Sequence, residues 1–101
     1  MVSFTTAILA LLASTVVSAT TARTWSGTSC NSGDELNWSG HSVACESLGN
    51  VKSLFIDSID PNCSITYYSD SNCSNDAVLT STGQCMGYSN GAQIKSWSWD
   101  C

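Results

Sequence analysis

Residues 63–74 read CSITYYSDSNCS, and they decide the fold. Ile65 and Tyr67 alternate with Thr66 and Tyr68, the period of two that marks a half-buried strand. The strand runs into a polar corner, SDSN, and a cysteine stands at each end of the segment. The same alternation recurs at Leu54 and Ile56 against Ser53 and Phe55, and at Trp97 and Trp99 against Ser96 and Ser98. No stretch of residues 20–101 holds a 3.6-residue apolar period over three turns, so an all-β domain is expected.

The segment has a second copy. Setting Cys30 over Cys73 lays ARTWSGTSCNS (22–32) on ITYYSDSNCSN (65–75), with Trp25 on Tyr68 and Ser26 on Ser69. Downstream, Val51-Lys52-Ser53 answers Ile94-Lys95-Ser96, and the second copy carries a longer loop before its last strand. One domain over 20–101 is therefore expected, with copy one at about 22–58 and copy two at about 63–101.

Ahead of it, residues 1–19 have an apolar run from Ala7 to Ala13, resumed at Val16 and Val17, and end in Val17-Ser18-Ala19. That order is a secretion signal cleaved after Ala19, with Ala22 as a second candidate. A membrane anchor would need about 20 continuous apolar residues, and Ser14 and Thr15 interrupt this run.

All six cysteines (Cys30, Cys45, Cys63, Cys73, Cys85 and Cys101) follow the expected cut. An even count in a short secreted chain points to three disulfides rather than zinc, for which CxxC spacing and a second histidine are lacking. So small a domain buries too little apolar surface to fold by a wide margin without staples. The repeat suggests bridges within each copy, Cys30–Cys45 and Cys73–Cys85. That leaves Cys63–Cys101 to join the start and the end of two antiparallel strands.

The formal net charge is −5, with Arg23, Lys52 and Lys95 as the whole cationic complement. Nucleic acid and anionic lipid both need clustered cations, so neither is the expected partner. Three N-glycosylation triplets occur, at Asn37, Asn62 and Asn72. The latter two contain a cysteine, so Asn37 is the preferred acceptor.

These residues resemble the βγ-crystallin Greek-key motif, which has an aromatic at its first corner, a second aromatic five residues on, and a glycine two further. A serine opening its last strand folds back over the corner. Tyr68, Cys73, Asn75 and Ser96 take these places in copy two, and Trp25, Cys30, Ser32 or Gly33, and Ser53 take them in copy one. The resemblance implies a two-motif Greek-key β-sandwich with a pseudo-twofold relation between its copies. Many members of the family bind calcium, but Lys52 and Lys95 stand at the ligand-bearing position of the matching segments, Leu48–Ser53 and Gly91–Ser96. An ammonium there excludes a hard cation, so no metal and no cofactor are expected. The spacing YSDSNC, GQC, KSWSW is similar to that of small secreted cysteine-rich proteins of fungi, both effector-like and killer-toxin-like.

Catalytic machinery is not in evidence. His41 stands alone in the WSGHS turn, and the cysteines are committed to bridges. Asp34 and Glu35 read as solvated neighbours; Asp57, Asp60 and Asp70 read as turn residues. A non-enzymatic binding role is expected, toward an extracellular protein or glycan, as an effector or antimicrobial toxin. A structural or surface protein and a protease inhibitor are the alternatives. Trp97 and Trp99 read as core and Trp25 as the corner plug. Trp38 reads as the exposed aromatic, and Phe55 as exposed on the opposite sheet face from Leu54. With His41, and with Met86 and Tyr88 in the loop from Met86 to Gln93, these form the candidate binding set.

Overall fold

In the computed structural model, residues 20–40 and 43–101 are described; the expected signal segment and His41 lie outside them. Eight strands form: β1 (Thr21–Trp25), β2 (Glu35–Ser39), β3 (Val43–Ser47), β4 (Ser53–Ser58), β5 (Ser64–Tyr68), β6 (Val78–Leu79), β7 (Cys85–Met86) and β8 (Ser96–Asp100). They make two four-stranded sheets, ordered β2-β1-β4-β7 and β3-β8-β5-β6. No helix occurs among the described residues.

The alternation seen in the sequence sets which side chains face inward. Ala22, Leu54 and Ile56 of one sheet face Ile65, Tyr67, Trp97 and Trp99 of the other, all at most 2% exposed. Trp97 and Trp99 meet edge to face at 5.2 Å. A buried aromatic of this size removes enough apolar surface for roughly 4–6 kcal/mol of transfer free energy. Leu48, Val51 and Ile94 close the core from the connections.

The order of the sheets carries one feature that the linear pattern does not contain. The third strand of each copy leaves its own sheet: β3 pairs with β8 of copy two, and β7 pairs with β4 of copy one. The two copies are therefore interlocked. Between them, Pro61 occupies a tight turn closed by Cys63 N–H donating to the Asp60 carbonyl at 2.9 Å.

Strand exchange corrects the disulfide pairing. Cys30–Cys45 and Cys73–Cys85 are not formed; the bridges are Cys30–Cys85 and Cys45–Cys73, with Cα separations of 5.8 and 5.9 Å. Cys45 rides on β3 into the sheet that holds the copy-two corner, and Cys85 rides on β7 toward the copy-one corner. Each bridge thus joins the corner of one copy to the travelling strand of the other. Cys63–Cys101 forms as expected, because Ser64 and Asp100 are antiparallel partners at the ends of β5 and β8.

The corners repeat at atomic detail. Ser53 Oγ donates to the Gly27 carbonyl at 2.8 Å, and Ser96 Oγ donates to the Asp70 carbonyl. Lys52 N–H donates to the Trp25 carbonyl at 2.9 Å, and Lys95 N–H to the Tyr68 carbonyl at 3.0 Å. Every one of these equivalent positions is 43 residues from its counterpart, as 70 is from 27 and 96 from 53. Both serines are fully buried. One assignment shifts by a residue: in copy two Cys73 (φ 55°) and Asp76 (φ 53°) take left-handed backbone, and Asn75 does not. Asp76 stands three residues after Cys73, as Gly33 (φ 81°) stands three after Cys30. Aspartate tolerates that conformation because its carboxylate hydrogen-bonds locally, here accepting from Ser69 Oγ at 2.6 Å.

Candidate functional site

With the corners and core accounted for by the repeat, the places where the copies differ are the ones to search. Each copy forms a groove between its first corner, its second strand and the connection after its third strand. The copy-two groove, of about 400 Å³, is bounded by Ser69, Asp76, Val78, Tyr88 and Asn90. Tyr88 is half-buried: its ring meets Tyr67 edge to face at 5.1 Å, and its hydroxyl donates to the Asp76 carbonyl at 2.7 Å. Burial, then the neighbouring Tyr67, Asp76 and Asp70, push its pKa up to about 12. It therefore stays a neutral donor, and the groove is walled by small and polar groups.

The copy-one groove, of about 290 Å³, is different. It opens between edge strand β2 and the connection from β3 to β4, and Leu36, Trp38, Leu48, Asp34 and Asn50 bound it. Trp38 is not the exposed aromatic that its sequence position suggested. It faces Ala22 across the β1–β2 pair, whose small side chain leaves room for the indole to turn inward. There it meets Trp97 edge to face at 5.2 Å, and its Nε1–H donates to Thr24 Oγ1 at 3.0 Å. The large exposed residue on β2 is instead Leu36, at 54%. Reading β2 as an edge strand, with its inward residues only half covered, was the missing signal.

Phe55 does lie on the outer face, opposite Leu54 and Ile56, but it is half-buried. The Arg23 guanidinium covers it, 5.1 Å from the ring centroid. Arg23 is in turn clamped by Asp57 through two hydrogen bonds, Nε to Oδ2 at 3.0 Å and Nη2 to Oδ1 at 2.7 Å. The Asp57 hydrogen bond raises the Arg23 pKa further. This cluster is self-satisfied, so it offers little free charge to a partner. Asn37 is exposed on β2, paired across from Arg23, on the outer face of the same sheet.

Met86 is half-buried against the core beside Leu54, with its sulfur 3.3 Å from the Ser81 amide. The Asp70 carboxylate organises the copy-two corner. It accepts from the Ser74 hydroxyl at 2.7 Å and from the Asn75 and Ser74 amides at 2.9 and 3.0 Å. Those bonds, the hydroxyl first, hold it well below the usual carboxylate range. Of the sequence candidates, then, only Trp38 borders the copy-one groove; Tyr88 borders the other, and Phe55 and Met86 lie elsewhere. All six cysteines are bridged. Among the described residues no three His, Cys, Asp or Glu side chains come together as a metal-ligand group. No helix among them is long and apolar enough to cross a membrane.

No family model matches the chain, and no characterised protein or solved structure matches it.

Proposed function

We propose that this chain is a secreted, non-enzymatic recognition protein with a two-motif Greek-key sandwich of the βγ-crystallin kind, acting outside the cell as a host-directed effector or a killer-type toxin. The observation that carries the reading is the interlocked corner pair. Each third strand crosses into the other copy's sheet, and a disulfide bolts it to the corner beneath the buried serine. The three bridges are compatible with an extracellular protein, and reducing compartments would not keep them. Cleavage after Ala19 fits the same reading, because Thr20 is buried and its Oγ1 accepts the Asp60 amide at 2.9 Å. Cleavage after Ala22 would strip the first two residues of β1.

The loop that would have to serve a protease inhibitor favours a binding scaffold instead. Inhibition by a braced, extended segment needs a free strand-like loop. Here Tyr88 is packed, Gly91 takes a left-handed turn (φ 75°), Asn90 Oδ1 accepts the Ala92 amide, and Gln93 Nε2 donates to the Gly49 carbonyl. The loop is folded onto the body.

The test is to infiltrate purified, oxidised protein into host tissue and to add it to competing microbes, with reduced and alkylated protein as the control. A tissue response or growth arrest that vanishes on reduction is expected. Inertness of the oxidised protein in both assays would overturn the effector and toxin reading and favour a structural role at the secretor's own surface.

A further inference from the structure

The two grooves occupy equivalent places in a repeated scaffold, yet their walls diverge. The partner of Ala22 across the strand pair is Trp38, while Ile65, its counterpart, is met by Thr80, whose amide and hydroxyl both donate to the Ile65 carbonyl at 2.9 Å. Copy two thus closes this position with a short side chain that satisfies the backbone. Copy one sets a large indole there and leaves Leu36 more than half exposed beside it. Val78, which pairs with Tyr67 as Leu36 pairs with Thr24, holds the same place in copy two, where the apolar side chain is shorter and half-buried.

We infer that the copy-one groove is a binding site for a short neutral oligosaccharide. Leu36, Leu48 and the half-buried Trp38 indole supply an apolar wall for the C–H face of a sugar ring. The rim supplies the complementary polar pair. Asp34 accepts and the Asn50 amide both donates and accepts, and among the described residues neither side chain is engaged in a hydrogen bond. No lysine or arginine lines the groove, so a phosphate or carboxylate ligand would meet only the Asp34 charge. A volume near 290 Å³ lies at the small end of ligand pockets, suited to one or two sugar rings with the chain leaving over β2. The inference deepens the recognition role proposed above and rests on it only for its biological meaning.

The test uses the intact oxidised protein, with cellohexaose, laminarihexaose, mannohexaose and the hexamer of N-acetylglucosamine as probes. Spermidine and palmitate serve as amine and lipid competitors. Titration calorimetry and methyl and indole NMR shifts should report at least one hexasaccharide binding, with shifts at Leu36 and the Trp38 indole. Leu36→Ala and Asp34→Asn should each weaken that binding about tenfold without moving the melting temperature. Leu79→Ala, an exposed leucine on β6 away from the groove, should leave it unchanged. Silence with all four sugars, shifts confined to the copy-two groove, or preference for spermidine or palmitate would overturn the assignment. Sugar binding by a protein inert toward tissue and microbes would sink the effector and toxin reading alone. Activity that persists without sugar binding would sink the groove alone.

Discussion

The two corners make the same turn with different chemistry. In copy one, neutral hydroxyls hold it: Ser32 Oγ donates to the Ser29 carbonyl at 2.9 Å, and Ser29 Oγ lies within hydrogen-bond distance of Ser32 and Asn31. In copy two, one carboxylate, Asp70, gathers the amides and hydroxyl that follow it. What both keep is the buried serine above, the cysteine beneath and the left-handed residue three positions on. The comparison separates the scaffold's requirements from what each copy is free to vary. The serine lid and the crossing bridge belong to the scaffold; Asp70 and Trp38 belong to single copies.

The largest expected effect comes from breaking the feature that ties the copies together. Replacing Cys30 and Cys85 by serine removes a cross-link spanning 55 residues, and replacing Cys45 and Cys73 removes one spanning 28. Each should cost about 3–4 kcal/mol in denaturant titrations, the longer one slightly more. A loss confined to one copy's strands, seen by hydrogen exchange, would show that the copies are not interlocked.

The serines come next, and here the copies should differ in degree. Ser96 Oγ serves two backbone groups, donating to the Asp70 carbonyl and accepting the Cys73 amide at 3.1 Å. Ser53 Oγ serves one, the Gly27 carbonyl. Ser96→Ala should therefore cost about 2–3 kcal/mol and Ser53→Ala about 1–1.5 kcal/mol, since each buried backbone group left unpaired bears its desolvation penalty uncompensated. Equal losses in urea titration would contradict the assigned partners.

The smallest effect is a pH dependence confined to copy two. Asp70 has a folded pKa below its unfolded value, so its contribution is complete above the unfolded pKa near 4 and is lost as pH falls toward the folded one. The protection factors of the Ser74 and Asn75 amides, taken against their intrinsic exchange rates, should fall on acidification below about pH 4, while those of the copy-one corner do not respond. Asp70→Asn should flatten the response. An identical acid response in both corners would break the contrast.

Much of this was legible because period two and a repeat of 43 residues are properties of the chain itself. Trp97 and Trp99 as core and Cys63–Cys101 as a strand-end bridge follow from local pattern and antiparallel geometry, while Ser53 and Ser96 as lids follow from the resemblance to the βγ-crystallin motif. The crossing bridges do not. Cys45 and Cys85 sit on short strands whose sequence is equally at home in either sheet, and only three-dimensional packing sends them across. Trp38 was misread for a related reason: its inward turn depends on the small partner Ala22, a pairing visible only once register is known. The left-handed residue slipped by one because Asn and Asp both tolerate that backbone, and Asn75 and Asp76 are adjacent.

Strand exchange between the copies is the central claim, and peptide mapping of the oxidised protein tests it most directly. Digestion without reduction should release fragments joining Cys30 to Cys85, Cys45 to Cys73 and Cys63 to Cys101. Fragments joining Cys30 to Cys45 and Cys73 to Cys85 would mean that each copy closes on itself, and would contradict the interlocked fold.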